Sequence, residues 1–209
     1  HILHYIQIQA TNNFLLTCLF NCDKKMKRHI AIGVTGASGS VYAARLFGKL
    51  KQMQDIDISV VVTENGELVY RYEMGDEAFE SIPFKRYNNN DFFASFASGS
   101  SQTDTFIVAP CSMGALARIA NGLASDLISR AADVMLKERR KLVLLTRETP
   151  VNLIHLENMT KVSKAGGIIC PASPSFYSKP VNIEQAVDTV INRVIGLIGL
   201  PIDSYHWGK

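Results

Sequence analysis

Short apolar runs alternate with segments of helical spacing along most of the chain. Five runs predict strands because they are β-branched or continuously apolar, at residues 29–34, 56–62, 105–110, 141–145 and 167–170. The intervening segments predict helices at residues 41–50, 64–74, 113–120, 125–140, 152–164 and 183–198. This alternation predicts a three-layer α/β fold, Rossmann-like or flavodoxin-like, with a mostly parallel sheet and helices on both faces. Ligands of such folds bind at the carboxyl ends of the strands, where we expect the site residues to lie.

Two stretches depart from this alternation. Residues 1–25 lack the basic segment and the small-residue cleavage site of a signal peptide, and their apolar part, residues 14–20, is too short to span a bilayer. We interpret residues 1–25 as an extension outside the core, or as an element that packs on a partner subunit, and residues 26–209 as a single domain. Residues 75–104 are polar and irregular, and loops of this length are often functional.

Composition narrows the class of protein. Hydrophobic residues make up 47% of the 209 residues and charged residues 20%, as in a globular protein with a core. The net charge of +3 is too small to indicate nucleic acid binding, and we expect no membrane span. The four cysteines form no CxxC pair, so we expect no metal site and no disulfide framework, which is typical of the reducing cytoplasm.

A glycine-rich turn follows the first predicted strand. Gly33, Gly36 and Gly39 permit a tight turn, and the helix behind them is expected to offer free N–H groups to a phosphate, with Ser38 either capping the helix or bonding a ligand. The spacing G-x-x-G-x-x-G departs from the dinucleotide fingerprint, although Glu64 lies near the position of a ribose-binding acid. Short-chain dehydrogenases would need a Tyr-x-x-x-Lys pair, which residues 26–204 lack, and no P-loop motif is present. The turn alone leaves open a phosphate binder or a structural turn.

Later segments are more specific. The stretches VTGASGSVY, SGS at 98–100, PCSMGAL at 110–116, RAADVMLKERRKLVLLTRETP at 130–150, HLENM at 155–159 and PSFY at 174–177 occur in this order. Together they resemble the flavin prenyltransferase family, known as UbiX, from Met26 to Trp207. The resemblance implies an FMN-binding enzyme that attaches a dimethylallyl group to N5 and C6 of reduced FMN without a metal ion. It also implies a dimethylallyl phosphate or diphosphate donor, a dodecamer with active sites between subunits, and a product used by a UbiD-type decarboxylase.

The resemblance also assigns site residues. It implies that FMN is contacted by Gly36, Ala37, Ser38, Thr63, Ser112, Met113, Gly114, Ala115 and Arg147. The prenyl phosphate is expected at Lys137, Tyr177 and Arg193, with Trp207 beside the prenyl chain. Further contacts are expected from Ser98, Gly99, Ser100, Arg130 and Glu148, which a neighbouring subunit would supply.

Catalytic roles follow from the same match. Ser38 and Glu73 are expected near the flavin N5, where they would manage protons lost from N5 and C6. Lys137 is expected to balance the charge of the leaving phosphate, and Glu148 to give it a proton. Without the resemblance, Glu73 would be interpreted as an exposed helix carboxylate and Arg147 as half of a surface salt bridge.

Residue spacing supports part of this assignment. Arg130 and Lys137 are seven residues apart, so we expect them on one face of a helix. On a solvated helix two such cations are usually solubilising charges, but beside a phosphate pocket they are natural counter-ions.

Two rival functions share the fold. A flavin-dependent cysteine decarboxylase would need a histidine near the flavin and an Asn-containing motif, whereas residues 110–113 read PCSM and His155 falls in a predicted helix. An electron carrier would have no need of a second phosphate pocket.

Overall fold

The computed structural model describes residues 27–203 and 208. In this range six strands form one parallel sheet in the order β3-β2-β1-β4-β5-β6. The strands are β1 (Arg28–Val34), β2 (Ile56–Val62), β3 (Lys85–Asn88), β4 (Thr103–Cys111), β5 (Lys141–Thr146) and β6 (Ile168–Pro171). The strand order reverses between β1 and β4, and this switch point is where open α/β sheets bind ligands. The interpretation of residues 1–25 and the role expected of Trp207 concern residues outside the described range.

Helices cover both faces of the sheet. They are α1 (Ser40–Leu50), α2 (Glu64–Met74), α3 (Asp76–Glu80), α4 (Met113–Ala120), α5 (Leu127–Lys137), α6 (Leu153–Lys164) and α7 (Ile183–Leu197), with a 3₁₀ turn at Ser95–Ala97. Helices α1 and α7 pack in one apolar cluster, and α4 and α5 pack in a second. Successive strand residues alternate between the clusters, as Ile30 and Ala31 do. The predicted three-layer fold is therefore confirmed. None of the helices in the described range is long and apolar enough to cross a membrane.

The prediction missed strand β3 and the short helix α3, and it misplaced the ends of α5. Strand β3 lies inside the segment that we expected to be irregular. Its sequence gives no strand pattern, because it is a four-residue edge strand with three exposed residues and no apolar run. The helix predicted over residues 125–140 spans only Leu127–Lys137. It begins late because the Asp126 carboxylate caps it, accepting from the Ser129 N–H at 2.8 Å. It ends early because Arg139 adopts a left-handed conformation with φ of 57°.

Helix α2 begins directly against the end of β1. The Thr63 N–H donates to the Val34 carbonyl at 3.0 Å, and the Thr63 hydroxyl accepts from the Gly66 N–H at 2.9 Å. A Cβ on Gly66 would lie 2.6 Å from the Val34 oxygen, and one on Gly36 would lie 2.7 Å from the Asn65 Cβ. Both glycines are therefore needed for this close approach of helix and strand.

A carboxylate from α2 caps α1. Glu73 accepts from the Gly39 N–H at 2.9 and 3.1 Å and from the Ser40 N–H at 2.7 Å, and Ser38 also bonds to it. Partial burial raises the pKa of Glu73, but the hydrogen bonds from Ser38, Ser40 and Gly39 together outweigh it and hold the pKa below its ordinary value.

This cap corrects two expectations. Ser38 does not cap the helix, because the residue at the N-cap is Gly39, with φ of 110°. The N–H groups of Gly39 and Ser40 are not open to a phosphate, because Glu73 already accepts from them. Glu73 is exposed, as the sequence alone would indicate, but its carboxylate also joins α1 to α2.

We expect Gly66→Ala to destabilise the protein by roughly 1–3 kcal/mol, because the added methyl must push α2 away from β1. Gly48→Ala is the matched control: Gly48 lies in α1 with nothing within 4 Å of an added Cβ, so it should stabilise by about 0.5–1 kcal/mol. Urea unfolding of both variants measures the free energies. Equal unfolding midpoints for the two would contradict the close-approach argument.

We expect Glu73→Gln to cost about 1 kcal/mol at neutral pH, an estimate reduced for the partial solvent exposure of the carboxylate. Because the folded-state pKa lies below the unfolded value, the ionised group stabilises the fold above the unfolded pKa. This contribution is lost as the pH falls through the folded pKa, so the difference between variant and parent should shrink below about pH 4. Urea unfolding across pH tests this, with Glu157→Gln on an exposed face of α6 as control. A difference that stays constant with pH would contradict the ionised cap.

Candidate active site

A buried hydroxyl joins β1 to β4 at the switch point. Thr35, 2% exposed, donates from its hydroxyl to the Pro110 carbonyl at 2.8 Å and accepts from the Ser112 N–H at 2.8 Å. Thr35 is not among the site residues predicted from the sequence. Its position in the sequence could have indicated this role. A polar residue directly after a buried strand must find hydrogen-bond partners there.

The residues predicted to contact FMN lie around this junction. The glycine turn containing Gly36 follows β1, and Thr63 follows β2. Thr63 and Ser112 both cap helices, since the Ser112 hydroxyl accepts from the Ala115 N–H at 3.3 Å. Each hydroxyl keeps its own O–H donor for another acceptor.

The N-terminus of α4 is the helix end at this junction that is available to an anion. The N–H groups of Met113 and Gly114 have no intrahelical partner, and the first turn contains no acidic residue. The Met113 and Ala115 side chains are buried in the core. A Cβ on Gly114 would approach only the Arg118 guanidinium, at 4.0 Å, so the space above it is open. These groups fit a phosphate-bearing ligand, whereas the end of α1 is occupied by Glu73.

Arg147 and Glu148 follow β5 at the same edge. The Arg147 N–H donates to the Cys111 carbonyl at 3.2 Å, and a Cβ on Gly39 would lie 3.9 Å from the Arg147 Cγ. Burial raises the pKa of Tyr42, and the positive charge of Arg147 partly opposes this rise. Among residues 27–203 Arg147 forms no salt bridge, so the interpretation as a surface ion pair has no support. Glu148 is exposed and accepts from the Thr149 N–H at 3.1 Å.

A second group of predicted residues lies at the opposite edge of the sheet. Helix α5 runs antiparallel to the strands and leads into β5 through three residues, so Lys137 lies at the amino edge. The loop of Ser98, Gly99 and Ser100 precedes β4 at that edge. The expectation that all site residues lie at the carboxyl ends is therefore wrong for these four.

Arg130 and Lys137 share one face of α5, as predicted. Arg130 donates from Nε to the Ala97 carbonyl at 3.0 Å, and a Cβ on Gly99 would lie 2.6 Å from the Lys137 ammonium. Lys137 also bonds to the Glu138 carboxylate. Both cations thus face the loop that contains Ser98–Ser100.

Arg193 and Tyr177 lie on the other side of the molecule. Arg193 is on α7 beside a cavity of 940 Å³, and Tyr177 is 66% exposed. Asp188 also lines the cavity, but Arg45 bonds it at 2.6 and 2.8 Å and Lys49 at 3.1 Å. Burial raises the pKa of Asp188, and these cations lower it more, so its negative charge is already balanced. The other lining residues are Ser175, Ser178, Gln185, Thr189, Asn192, Gly196, Leu200, Pro201, Ile202 and Asp203.

The expected prenyl phosphate site is not assembled within one chain. Lys137 is on α5, which packs on one face of the sheet, whereas Arg193 is on α7, which packs on the other. The sheet therefore separates the two cations. Trp207 lies outside the described residues.

His155 has a structural role. It lies in the first turn of α6, where its Nδ1 accepts from the Asn152 N–H at 3.4 Å and its own N–H donates to the Asn152 side chain at 2.9 Å. This reciprocal capping box engages the histidine that the rival decarboxylase function would need beside a flavin.

Comparisons with known proteins identify the family. The Flavoprotein family model matches residues 21–196. A flavin prenyltransferase UbiX from Methanothermobacter thermautotrophicus is 42% identical over 184 residues, covering 87% of this chain and 96% of that protein. The crystal structure of AnUbiX in complex with FMN and dimethylallyl pyrophosphate matches with a TM-score of 0.79 and 37% identity, covering 86% of this chain and all of that one. A dodecameric FMN-dependent UbiX-like decarboxylase from Escherichia coli O157:H7 matches with a TM-score of 0.82 and 36% identity, covering 87% of this chain and all of that one. At this identity and coverage the chain belongs to the UbiX family of flavin prenyltransferases, the family that its motifs resemble.

Proposed function

We propose that this enzyme transfers a dimethylallyl group from dimethylallyl phosphate, or its diphosphate, to N5 and C6 of reduced FMN. What supports the proposal is two separate groups of residues, each suited to an anion. One is the N-terminus of α4 at the switch point, where Ser112 caps only the Ala115 N–H and the N–H groups of Met113 and Gly114 are left for a ligand, near Arg147. The other is the cavity beside Arg193, whose lining includes two carboxylates: Asp188, which Arg45 and Lys49 already balance, and Asp203. An electron carrier would use only the first.

FMN is the acceptor substrate, held at the carboxyl edge of the sheet. The N–H groups of Met113 and Gly114 take an anionic part of the flavin, as helix N-termini do, and Arg147 adds a planar cation. Contacts from Gly36, Ala37, Ser38, Thr63, Ser112 and Ala115 complete this side of the site. Gly36 and Gly66 support it by allowing α2 and the glycine turn to pack together.

The prenyl phosphate site is completed by a second copy of the chain. Lys137, Arg130 and the Ser98–Ser100 loop occupy one side of each subunit, and Arg193 and Tyr177 occupy the other. Two different surfaces of this kind meet in a heterologous interface, which closes into a ring in a symmetric oligomer. The dodecameric assembly of the related protein supports this arrangement. We propose the same assembly here, with Trp207 beside the prenyl chain and Glu148 beside the phosphate.

The cations of the site balance the leaving phosphate in place of a metal ion. Lys137 supplies a point charge, Arg130 and Arg193 supply planar forks, and Tyr177 supplies a hydroxyl. As the carbon–oxygen bond of the donor breaks, its electron pair leaves with the phosphate, and Glu148 gives that phosphate a proton. Preorganised donors of this kind contribute several kcal/mol to a transition state.

Ser38 and Glu73 handle the protons of the flavin. Ser38 bonds to the ionised Glu73, so the lone pairs of its oxygen are directed away from the carboxylate. The Ser38 oxygen accepts the N5 proton as N5 bonds to the terminal prenyl carbon, and its own proton passes to Glu73. When C6 bonds to the branched prenyl carbon, C6 loses one proton and the prenyl double bond takes one up. Protons and electrons then balance, and the product is prenylated FMN, which we propose serves a UbiD-type decarboxylase.

The direct test of the function is to mix the protein anaerobically with reduced FMN and dimethylallyl monophosphate. Mass spectrometry should show a flavin heavier by one five-carbon unit and release of inorganic phosphate. Oxidised FMN is the control and should remain unmodified. A protein that binds both compounds but returns the flavin unchanged contradicts prenyl transfer and favours flavin storage.

Variants of the two separated cations test the interfacial site. Lys137→Ala and Arg193→Ala should each lower kcat/KM by roughly 100-fold or more while FMN still binds, because each removes a counter-ion of the leaving phosphate. Co-assembled in equal amounts, they should recover about a quarter of parental activity, since a random mixture pairs an intact Lys137 with an intact Arg193 at that frequency.

Lys164→Ala, on the exposed end of α6, is the matched control and should leave turnover unchanged. If the two inactive variants form mixed oligomers but recover nothing, the two cations do not act across an interface. If each variant alone keeps parental turnover, neither cation serves the reaction.

A further inference from the structure

Two guanidinium groups hold the loop before β4. Arg140 donates from Nη2 to the Gly99 carbonyl at 2.6 Å and from Nη1 to the Thr103 carbonyl at 3.1 Å. Arg130 donates from Nε to the Ala97 carbonyl at 3.0 Å. The carbonyl oxygens of Ala97, Gly99 and Thr103 therefore all accept hydrogen bonds from arginines in α5 or directly after it.

The polar side chains of the loop are exposed. Ser98 and Ser100 are both exposed, and their hydroxyl oxygens lie 2.9 Å apart. The Ser98 oxygen also accepts from the Ser100 N–H at 3.3 Å. One hydrogen bond between two hydroxyls uses one of their two O–H donors, so the other is left for a ligand. The arrangement directs carbonyls toward the protein and a donor outward, which suits an anion.

The backbone of Arg140 is fixed independently of its side chain. Its N–H donates to the Met135 carbonyl at 2.8 Å, while the Arg139 N–H donates to the Leu136 carbonyl at 3.2 Å. Together with the φ of 57° at Arg139, this is a Schellman motif at the end of α5. A non-glycine residue in this conformation is unfavourable, so the surrounding contacts must maintain it. The motif aims Arg140 at the loop from a rigid helix end.

The same helix end contains Lys137. A Cβ on Gly99 would lie 2.6 Å from the Lys137 ammonium, so the loop and this cation are already in close approach. Holding Gly99 through Arg140 therefore keeps the Ser98 and Ser100 hydroxyls at a constant distance from the charge of Lys137.

We propose that Arg140 is a positioning residue for prenyl transfer, acting through the Ser98–Ser100 loop. The inference rests on the proposed function, because the loop is the part expected to meet the prenyl phosphate. Arg140 is expected to act indirectly, since Nη2 donates to the Gly99 carbonyl of the loop and Nη1 to the Thr103 carbonyl at the start of β4. Arginine suits this task because its planar fork bridges two oxygens, which a lysine ammonium does not do with the same geometry.

The test compares Arg140→Lys with Arg139→Lys in the assembled protein. Arg140→Lys keeps the charge but loses the fork, so amide hydrogen exchange of residues 98–102 should speed up by about tenfold. The KM for dimethylallyl monophosphate should rise by about tenfold while kcat and the Kd for FMN stay close to the parent. Arg139→Lys changes the exposed neighbour, whose side chain makes no hydrogen bond within the described residues, and should leave all four quantities unchanged.

Amide exchange and the KM together show which part of the proposal fails. Unchanged exchange in Arg140→Lys overturns the clamp, whatever the activity. Faster exchange with an unchanged KM, in a parent that prenylates flavin, overturns the positioning role alone. A parent that forms no prenylated flavin overturns the proposed function and the positioning role with it, while the exchange data still decide whether the clamp exists.

Discussion

The hydrogen bonds of Thr35 are the constraint on which the site depends. They join β1 to β4 at the one place where the sheet changes its direction of winding. The chain leaves β1 toward α1 on one face and leaves β4 toward α4 on the other, so a crevice must open between them. A buried hydroxyl at its base keeps the two strand ends in register, and the glycine turn, the end of α4 and Arg147 are all placed relative to it.

The parallel topology also explains why one chain holds only parts of the expected site. In a parallel sheet each helix returns to the amino edge, so residues at the C-terminal ends of helices are far from the crevice of their own subunit. Lys137 and the Ser98–Ser100 loop are at that edge, while Arg193 is across the sheet. A related protein is dodecameric, and the assembly proposed above would bring such residues of neighbouring copies together.

The central strands and the family could be predicted from the sequence, because both rest on strong local patterns. The β-branched runs of β1, β2, β4 and β5 follow from burial on both faces, and the long block around Lys137 is specific enough to indicate the family. Strand β3 was missed because an exposed edge strand of the composition KRYN has no apolar pattern. The end of α5 was misplaced because Arg139 is a non-glycine residue in a left-handed conformation.

Contacts between distant residues were beyond the same reasoning. Glu73 lies 34 residues from the Gly39 N–H that it caps, and Arg140 lies 41 residues from the Gly99 carbonyl that it holds. No periodicity links such pairs, because they arise only when helices pack against the same sheet. Their charges were visible in the sequence, but their partners were not.

The cap on α1 limits how Glu73 can behave during a reaction. Its carboxylate accepts from two backbone N–H groups as well as from Ser38, and protonation would weaken all three bonds together. A proton arriving there loosens the start of a helix, and restoring that helix end expels the proton again. In the proton transfer proposed above, Glu73 would therefore pass its proton on rather than store it, because the cap of α1 requires the ionised carboxylate.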